Sequence, residues 1–303
     1  MKITFWGVRG SIPCPGPETV RYGGNTPCLE LRVGENGRLI IIDAGSGMRP
    51  LGHRLMEDRP PGKALEADVY LTHTHWDHIM GLPFFPPLYH PETRLRIHGP
   101  VTYEDESLEE ILGGQLTYRY FPVRQAELAA GIEYHTLKEG RFDLGGGVSL
   151  VTKYLNHPIL CLGYRFEYRG KVLCTAYDTE PFRNIFCTDP SDPAYDEAMA
   201  REGDQVAREE NERVEEFFKG ADLLIHDAQY TLAEYETTKT GWGHSAMEHA
   251  VNAAARAGVK RLALFHHEPL RTDAELDELS ETLRPRGKEI DVFFAREGMQ
   301  IHV

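Results

Sequence analysis

Four side chains of the types that bind metal ions lie within six consecutive positions of one segment. The stretch THTHWDH, residues 72–78, contains His73, His75, Asp77 and His78. Imidazole and carboxylate groups suit zinc and related first-row metals, and the lack of a cysteine ligand favours an open hydrolytic site over a closed structural one. At the end of a strand, the side chains of alternate residues point in the same direction. The turn that follows directs the other two side chains elsewhere. The segment therefore predicts half of a site for two metal ions.

The longer motif THTHWDHIMGLP resembles the HxHxDH signature of the metallo-β-lactamase superfamily, and similar motifs follow along nearly the whole chain. LIIIDAGSG resembles the family's first motif, in which Asp43 would support the ligand loop. NHPILCLGYRFE, CTAYDTEP and LALFHH resemble later motifs that supply further ligands. The resemblance implies that one ion is held by His73, His75 and His157, the other by Asp77, His78 and His266, with Asp178 bridging the two.

A site of this kind would carry two divalent metal ions per chain. Zinc is the predicted metal, with manganese and iron as alternatives, because histidine and carboxylate ligands accept all three. The ligand set leaves room on each ion for a shared hydroxide, which two adjacent cations form readily at neutral pH. The resemblance thus implies a metal-dependent hydrolase in which a metal-bridging hydroxide attacks the substrate.

Two further stretches resemble the ribonuclease Z branch of the superfamily. ADLLIHDAQY contains Asp227 and GHSAMEHA contains His244. A leaving alkoxide needs a proton, and an imidazole that a carboxylate orients and keeps cationic can supply it. This pairing requires Asp227, which is shorter than the glutamate common in that branch, to reach His244. Together with Asp77, these two residues form the predicted catalytic set for phosphodiester cleavage.

The charge of the chain favours a small substrate. Its 33 basic and 47 acidic residues give a formal net charge of −14, which does not attract a long polyanion. The sequence also shows no counterpart of the long basic arm with which ribonuclease Z holds precursor tRNA. The start WGVRGSIPCPGPETVRYGGNT resembles bacterial superfamily members related to cyclic-nucleotide phosphodiesterases. We therefore expect a phosphodiesterase acting on a small phosphodiester such as a 3′,5′-cyclic nucleotide, with large nucleic acids disfavoured.

Two alternative functions follow from the same residues. One is a ribonuclease Z-like RNA-processing endonuclease, which would need a basic track or a partner subunit. The other, from a different class, is a non-catalytic metal-binding nucleotide sensor. The complete ligand set favours an enzyme over the sensor.

Several residues near the motifs have both a functional and a structural interpretation. Arg9 could contact phosphate or serve as a turn residue paired with an acid. His226 and His267 adjoin the motifs and could support the ligands. A group of aromatic residues could stack on a base or simply pack on the domain edge: Trp76, Phe84, Phe85, Tyr89 and Tyr118.

Strand and helix patterns show how these motifs would be positioned. A strand meander opens the chain, with a GENG turn between CLELRV and RLIIID, and ADVYLT then feeds into the histidine cluster. A second run of strands, residues 149–178, precedes a charged helix in which Val206, Val214, Phe217 and Phe218 would form the packed face. Two strand-rich halves, each followed by helices, predict an α/β protein. With the resemblance, this is a four-layer αββα sandwich of two mixed β-sheets with helices on both outer faces, as one domain over residues 1–303.

The cysteines and the distribution of apolar residues predict the redox state and the compartment of the protein. The five cysteines lack close pairing and are expected to be reduced, with Cys14 and Cys28 the candidates for another role. The start MKITFWGVRGSIP does not read as a signal peptide, and no stretch approaches the roughly 20 apolar residues of a membrane span. These features predict a cytoplasmic protein without a membrane partner. A homodimer is the expected assembly, since dimers are common among similar proteins.

Overall fold

Two seven-stranded β-sheets pack face to face in the computed structural model, which describes residues 1–60, 62–101, 106–283 and 290–303. The first sheet contains β1 (Lys2–Gly7), β2 (Cys28–Val33), β3 (Arg38–Ile42), β4 (Leu65–Tyr70), β5 (Thr93–Pro100), β6 (Gly131–Leu137) and, at its other edge, β14 (Gln300–His302). The second contains β7 (Gly140–Gly145), β8 (Val148–Leu155), β9 (Cys161–Tyr168), β10 (Lys171–Ala176), β11 (Leu223–Asp227), β12 (Arg261–Phe265) and β13 (Asp291–Phe294). Both sheets are mixed: β3 to β6 and β10 to β13 pair in parallel, and most other neighbours pair antiparallel.

Helices cover the outer face of each sheet. They are α1 (Met48–Asp58), α2 (Trp76–Ile79), α3 (Leu108–Gly114), α4 (Glu197–Phe218), α5 (Leu232–Glu234), α6 (Met247–Arg256) and α7 (Asp273–Leu283). Helices α1 and α3 pack with the first sheet, and α4, α6 and α7 pack with the second. The predicted four-layer αββα sandwich is therefore confirmed.

The alternation of side chains along each strand builds three apolar layers. Ile3, Phe5 and Leu29 of the first sheet meet Tyr164 and Phe166 of the second in the central layer. The opposite faces of the same strands bury residues under the helices. At roughly 25 cal/mol per Å² of apolar surface removed from water, these layers are the main source of stability.

Several local predictions need correction. The prolines of LPFFPPLYHP, which follows the histidine cluster, predict an irregular loop, but the segment forms two short 3₁₀-helices at Leu82–Phe84 and Pro86–Tyr89. Strands β6 and β7 were not predicted, because their side chains alternate between exposed and partly buried at the sheet edges. The stretch TDAELDELSETLRPR predicts a last helix over residues 272–286, of which residues 284–286 lie outside the described part of the chain. The GENG turn does connect antiparallel strands β2 and β3, as predicted.

The packed face of α4 also differs from the prediction. Phe217 and Phe218 are buried, but Val206 is 52% exposed. In the first half of the helix, Gly203 lies against the protein instead, because only a residue without a side chain fits beside Asn184 there.

All five cysteines are free thiols, and Cys28 is buried in the core beneath the first sheet. Among the described residues, no helix combines the length and the apolar character needed to cross a bilayer.

A buried carboxylate on β4 leads to a prediction about stability. Asp68 is 1% exposed and accepts hydrogen bonds from the Nε atoms of Arg38 at 2.8 Å and Arg96 at 2.7 Å. Burial raises the pKa of Asp68, but the His98 imidazole 3.6 Å away and the hydrogen bonds from the two arginines outweigh burial and lower it below its usual range. Because the folded-state pKa is depressed, this stabilisation is present above the unfolded-state pKa of about 4 and is lost as pH falls below that value.

We expect Asp68→Asn to lower the free energy of unfolding by about 2 kcal/mol at pH 7, the loss of charge-assisted hydrogen bonds. The difference from the parent protein should shrink as pH falls below about 4. Urea unfolding followed by circular dichroism at pH 7 and at pH 3 measures both effects. Asp58→Asn is the matched control, because Asp58 pairs with Arg54 on the surface and its loss should cost less than about 0.5 kcal/mol. A difference that stays constant with pH would contradict this account.

Candidate metal centre

Strand ends from both sheets bring the predicted ligands to one edge of the sandwich. His73 follows β4 of the first sheet, whereas Asp178 follows β10 and His266 follows β12 of the second. Strands β10, β11 and β12 are parallel to one another. Strand β8 is antiparallel to β9, which is antiparallel to β10, so β8 also ends at this edge and places His157 there. Such an edge is where α/β sheets commonly hold their ligands.

The seven predicted ligands form two clusters that share one residue. Each residue of a cluster offers an atom, and these atoms lie within 4.8 Å of one another. The first cluster contains His73, His75, His157 and Asp178, and the second contains Asp77, His78, Asp178 and His266. Asp178 directs Oδ2 towards His73 Nε2 at 3.5 Å and Oδ1 towards His78 Nε2 at 3.1 Å. Its carboxylate therefore lies where a group bridging two ions would have to be.

The donor atoms fit two divalent ions. Nδ1 of His75 lies 3.0 Å from Nε2 of His73 and 3.0 Å from Nε2 of His157, so three ring nitrogens converge on one point. In the second cluster, Nε2 of His78 and Oδ1 of Asp178 are buried and make no hydrogen bond within the described part of the chain. Buried polar atoms without a partner are rare, and a coordinated cation would satisfy both.

The ionisation states of five of the ligands suit metal binding. Burial lowers the pKa of His73, His75 and His157, and that of His157 falls to about 4. For Asp77 and Asp178, burial raises the pKa, but the surrounding imidazoles outweigh burial and hold it well below its usual range. Neutral imidazoles and ionised carboxylates are the forms that coordinate metals. For His78, burial lowers the pKa, but the surrounding carboxylates outweigh burial and raise it well above its usual value.

Asp43 orients the ligand loop, as the resemblance implied. It is fully buried and accepts hydrogen bonds from Thr72 N at 2.7 Å, from Thr72 Oγ1 at 2.9 Å and from His78 Nδ1 at 2.7 Å. Because Nδ1 of His78 donates to this carboxylate, Nε2 keeps its lone pair directed at the cluster. In the same way, Nδ1 of His157 donates to the backbone carbonyl of Gly243 at 2.9 Å.

Other supporting residues were missed by sequence reasoning. The backbone N–H of Ser11 donates to Asp77 Oδ2 at 2.8 Å, and the side-chain oxygen of Gln229 lies 3.2 Å from Nδ1 of His266. Gly10 packs so closely on the His266 ring that an added Cβ would lie 2.5 Å from it. All three residues lie in stretches that resemble family motifs, Gly10 and Ser11 in WGVRGSIP and Gln229 in ADLLIHDAQY. The residue types in those stretches do not indicate which ligand each one contacts.

Backbone strain concentrates at this edge. Ser11, Asp43, Asp178 and His266 all have positive φ angles, as does only Arg169 among the other non-glycine residues that the structure describes. Residues in this region of φ cost about 1 kcal/mol or more and persist where the surroundings fix them.

Asp227 does reach His244. Its Oδ2 accepts a hydrogen bond from His244 Nδ1 at 2.8 Å, and it also accepts one from the backbone N–H of Thr179 at 3.1 Å. The His244 ring stacks on His266, with 4.9 Å between ring centroids. Burial lowers the pKa of His244, but the Asp227 carboxylate outweighs burial and raises it to about 9. The Asp227 carboxylate therefore favours the protonated form of His244, whose ring lies beside the second ligand cluster.

The structure separates the aromatic candidates for base stacking. Phe85 is fully buried against α1 and is not available, which corrects the prediction for this residue. Tyr118 is exposed but is held on the surface by Glu127, and Tyr89 donates to the carbonyl of Pro83. Phe84 is 54% exposed and Trp76, next to His75, is 80% exposed. Trp76 is the aromatic side chain that lies within the ligand motif itself.

Three polar residues that had both a functional and a structural interpretation make structural contacts. Arg9 is fully buried and donates to the backbone carbonyls of Gly23, Glu268 and Arg271, so it is not placed to meet a phosphate. His267 directs Nε2 to the carbonyl of Ala295. His226 directs Nδ1 to the backbone carbonyl of Asp227 and lies outside both ligand clusters.

Comparison with known proteins places these motifs in context. Residues 22–214 match the family model described as the metallo-beta-lactamase superfamily. The ribonuclease Z of Lactococcus lactis is 28% identical over 298 residues, covering 88% of each chain, and that of Haloarcula marismortui is 26% identical, covering 100% of this chain and 97% of the relative.

Solved structures share the fold. Zn²⁺-bound PqqB from Methylobacterium extorquens superposes with a TM-score of 0.65 at 16% identity and full coverage of both chains. The short form of human tRNase Z gives 0.62 at 20% identity, covering 100% of this chain and 99% of that one. A diphosphatase of the PhnP family gives 0.63 at 18% identity, covering 100% and 97%. The family match, the two sheets and the two ligand clusters agree, and the chain belongs to the metallo-β-lactamase superfamily of metal-dependent hydrolases.

Proposed function

We propose that this protein is a phosphodiesterase that uses two divalent metal ions. The observation that carries the proposal is the 2.8 Å hydrogen bond between Asp227 and His244, with the His244 ring stacked beside metal-ligand candidate His266. Phosphodiester cleavage expels an alkoxide, which is a poor leaving group until it gains a proton. A proton donor fixed next to a dinuclear centre answers that requirement.

The side chains would have two roles, as metal ligands and as a proton donor with its supporting carboxylate. His73, His75 and His157 would hold one ion, Asp77, His78 and His266 the other, and Asp178 would contact both. When bound, such a pair of cations neutralises phosphoryl charge and makes a water molecule nucleophilic at neutral pH. His244 would donate its Nε2 proton to the leaving oxygen, because Nδ1 is committed to Asp227. Asp227 would act by holding the ring in that orientation.

Zinc is the proposed metal. Five histidine nitrogens and two carboxylates converge in the two clusters without a cysteine, a donor set that zinc shares with manganese and iron. The Zn²⁺-bound neighbour supports zinc, since its fold covers the whole chain. Metal analysis of protein purified without added metal would identify the native pair.

For the substrate, we favour a small phosphodiester such as a 3′,5′-cyclic nucleotide. The net charge of −14 gives a long polyanion no general attraction. Trp76 is exposed beside His75 and could stack on a base without any basic track. The PhnP-family neighbour is named a diphosphatase, which is consistent with a compact phosphate ester in this fold.

A second candidate is an RNA-processing endonuclease. It is favoured by the relatives named ribonuclease Z, which match along most of their own length, and by the tRNase Z structure. This function would require RNA contacts that compensate for the acidic charge of the chain.

A substrate comparison with metal-loaded protein separates these functions. We expect hydrolysis of bis(p-nitrophenyl) phosphate and of cyclic AMP, with no cleavage of a structured precursor tRNA. Cleavage of the tRNA with no turnover of cyclic AMP would instead establish the endonuclease. Tight nucleotide binding without hydrolysis of any phosphodiester would identify a sensor and overturn the enzymatic proposal.

A further inference from the structure

A crevice between α4 and α6 lies behind the catalytic side chains, on the outer face of the second sheet. Its volume is about 200 Å³, and α4 and α6 supply Phe218 and Ala253 to its walls. Its floor consists of three residues that are the direct chain neighbours of Asp178, Asp227 and His244: Thr179, His226 and Ser245. We call this space the α4–α6 crevice.

Two imidazole nitrogens in the α4–α6 crevice lack partners. His226 is 4% exposed, and its Nδ1 lies 2.7 Å from the carbonyl oxygen of Asp227, so Nδ1 carries the proton. Nε2 of His226 makes no hydrogen bond among the described residues and is left as an acceptor facing the crevice. Nδ1 of His249 is buried and also has no partner there. Leaving a buried atom such as Nδ1 of His249 unsatisfied costs about 1 to 3 kcal/mol. Nε2 of His226 is not fully buried, so it is open to a hydrogen-bond donor on a ligand in the crevice.

The remaining surface of the crevice is apolar or already paired. Val214, Phe218 and Ala253 contribute apolar walls. At the rim, Arg256 donates to Glu215 at 2.6 Å, so these charges neutralise each other. Deeper in, Glu180 accepts a hydrogen bond from Tyr235 Oη at 3.0 Å. An anionic ligand would find no free cation among the described residues here, and the Glu180 carboxylate already accepts hydrogen bonds from Tyr235 and Gly241. An uncharged ring bearing an N–H or O–H donor would match both the walls and His226.

The floor of the crevice is hydrogen-bonded to the catalytic pair. The backbone N–H of Thr179 donates to the Asp227 carboxylate at 3.1 Å, and Ser245 Oγ donates to the Thr179 carbonyl at 2.6 Å. A group seated on Thr179, His226 and Ser245 therefore presses on the segments that set the orientation of Asp227 and His244.

We propose that the α4–α6 crevice binds a small uncharged heterocycle of nucleobase size and that its occupancy adjusts the Asp227–His244 pair. Binding at this position differs from substrate binding, because the crevice opens on the helical face of the sheet and not on the metal-ligand edge. The binding part of this inference does not depend on the proposed reaction.

The test uses adenine, uracil and indole as probes, titrated into the metal-loaded full chain by calorimetry. The Ala253→Leu variant fills the crevice, and Ala255→Leu makes the same change at an exposed position of the same helix. We expect at least one probe to bind the parent and Ala255→Leu, and to bind Ala253→Leu at least about tenfold more weakly, a loss of about 1.4 kcal/mol. His226→Phe, which keeps a ring but removes the acceptor, should weaken binding in the same direction.

Two results overturn the proposal. Either none of the three probes binds below about 10 mM, or a probe binds Ala253→Leu as tightly as the parent. A second measurement tests whether a bound probe affects the catalytic pair. With a saturating probe, kcat for bis(p-nitrophenyl) phosphate should change about fivefold in the parent and not in Ala253→Leu. An unchanged kcat with a bound probe would overturn the regulatory half of the proposal alone.

Discussion

Asp178→Ala is expected to lower the turnover of bis(p-nitrophenyl) phosphate by at least about a thousandfold, equivalent to roughly 4 kcal/mol of lost transition-state stabilisation. The physical reason is that Asp178 is the one residue common to both ligand clusters. Its two oxygens face different histidines, and Oδ1 has no hydrogen-bond partner in the described chain that could replace a cation. Without this carboxylate, the two sites lose a shared ligand and also the negative charge that holds two cations close together.

Metal content and turnover should fall together in this variant. Elemental analysis after dialysis should find fewer than two ions per chain, whereas the parent retains two. Asp58→Ala is the matched control, since Asp58 is an exposed aspartate on α1 far along the chain from any ligand. Circular dichroism would establish that Asp178→Ala is folded. A folded variant that keeps both ions and the parental kcat would show that Asp178 is not a ligand of the metal centre.

His244→Ala is expected to lower kcat by about 10² to 10⁴-fold, the usual contribution of a general acid, while both metal ions stay bound. His244 donates Nδ1 to Asp227 and so is oriented by a carboxylate, and not by the ions themselves. The defect should be larger for cyclic AMP, whose leaving group is an alkoxide, than for bis(p-nitrophenyl) phosphate, whose leaving group needs no proton. This difference between substrates is a property of a proton donor that a structural residue would not show.

Asp227→Asn should give a weaker form of the same defect, because the amide can still contact His244 but does not stabilise its cation. His302→Ala, at an exposed position of β14, is the control and should leave both substrates unaffected. Steady-state kinetics on the two substrates, together with metal analysis, test whether His244 acts as a proton donor. Loss of an ion from His244→Ala would show that this histidine is a ligand, as its proximity to Asp178 and His266 also permits.

Much of the metal centre could be predicted because its ligands are local or belong to motifs at strand ends. His73, His75, Asp77 and His78 lie in one loop, so their spacing alone indicates two ions. The resemblance supplied the distant ligands, and they converge in the structure because β4, β8, β10 and β12 all end at one edge. The hydrophobic alternation likewise predicted the two sheets and their outer helices.

Tertiary packing decided what the side chains outside those motifs do. Phe84 and Phe85 are identical in type and adjacent, yet only Phe85 is buried, because it packs beside Gly52 of α1. Arg9 looked available for phosphate, but loops from the far end of the chain supply the carbonyls that enclose it. The sequence by itself determined the donor set: residue type and local spacing indicated the four ligands of residues 73–78, and the family resemblance supplied His157, Asp178 and His266. Only the folded chain determined which groups are buried, which pairs meet and where the α4–α6 crevice forms, since those depend on contacts between segments far apart in sequence.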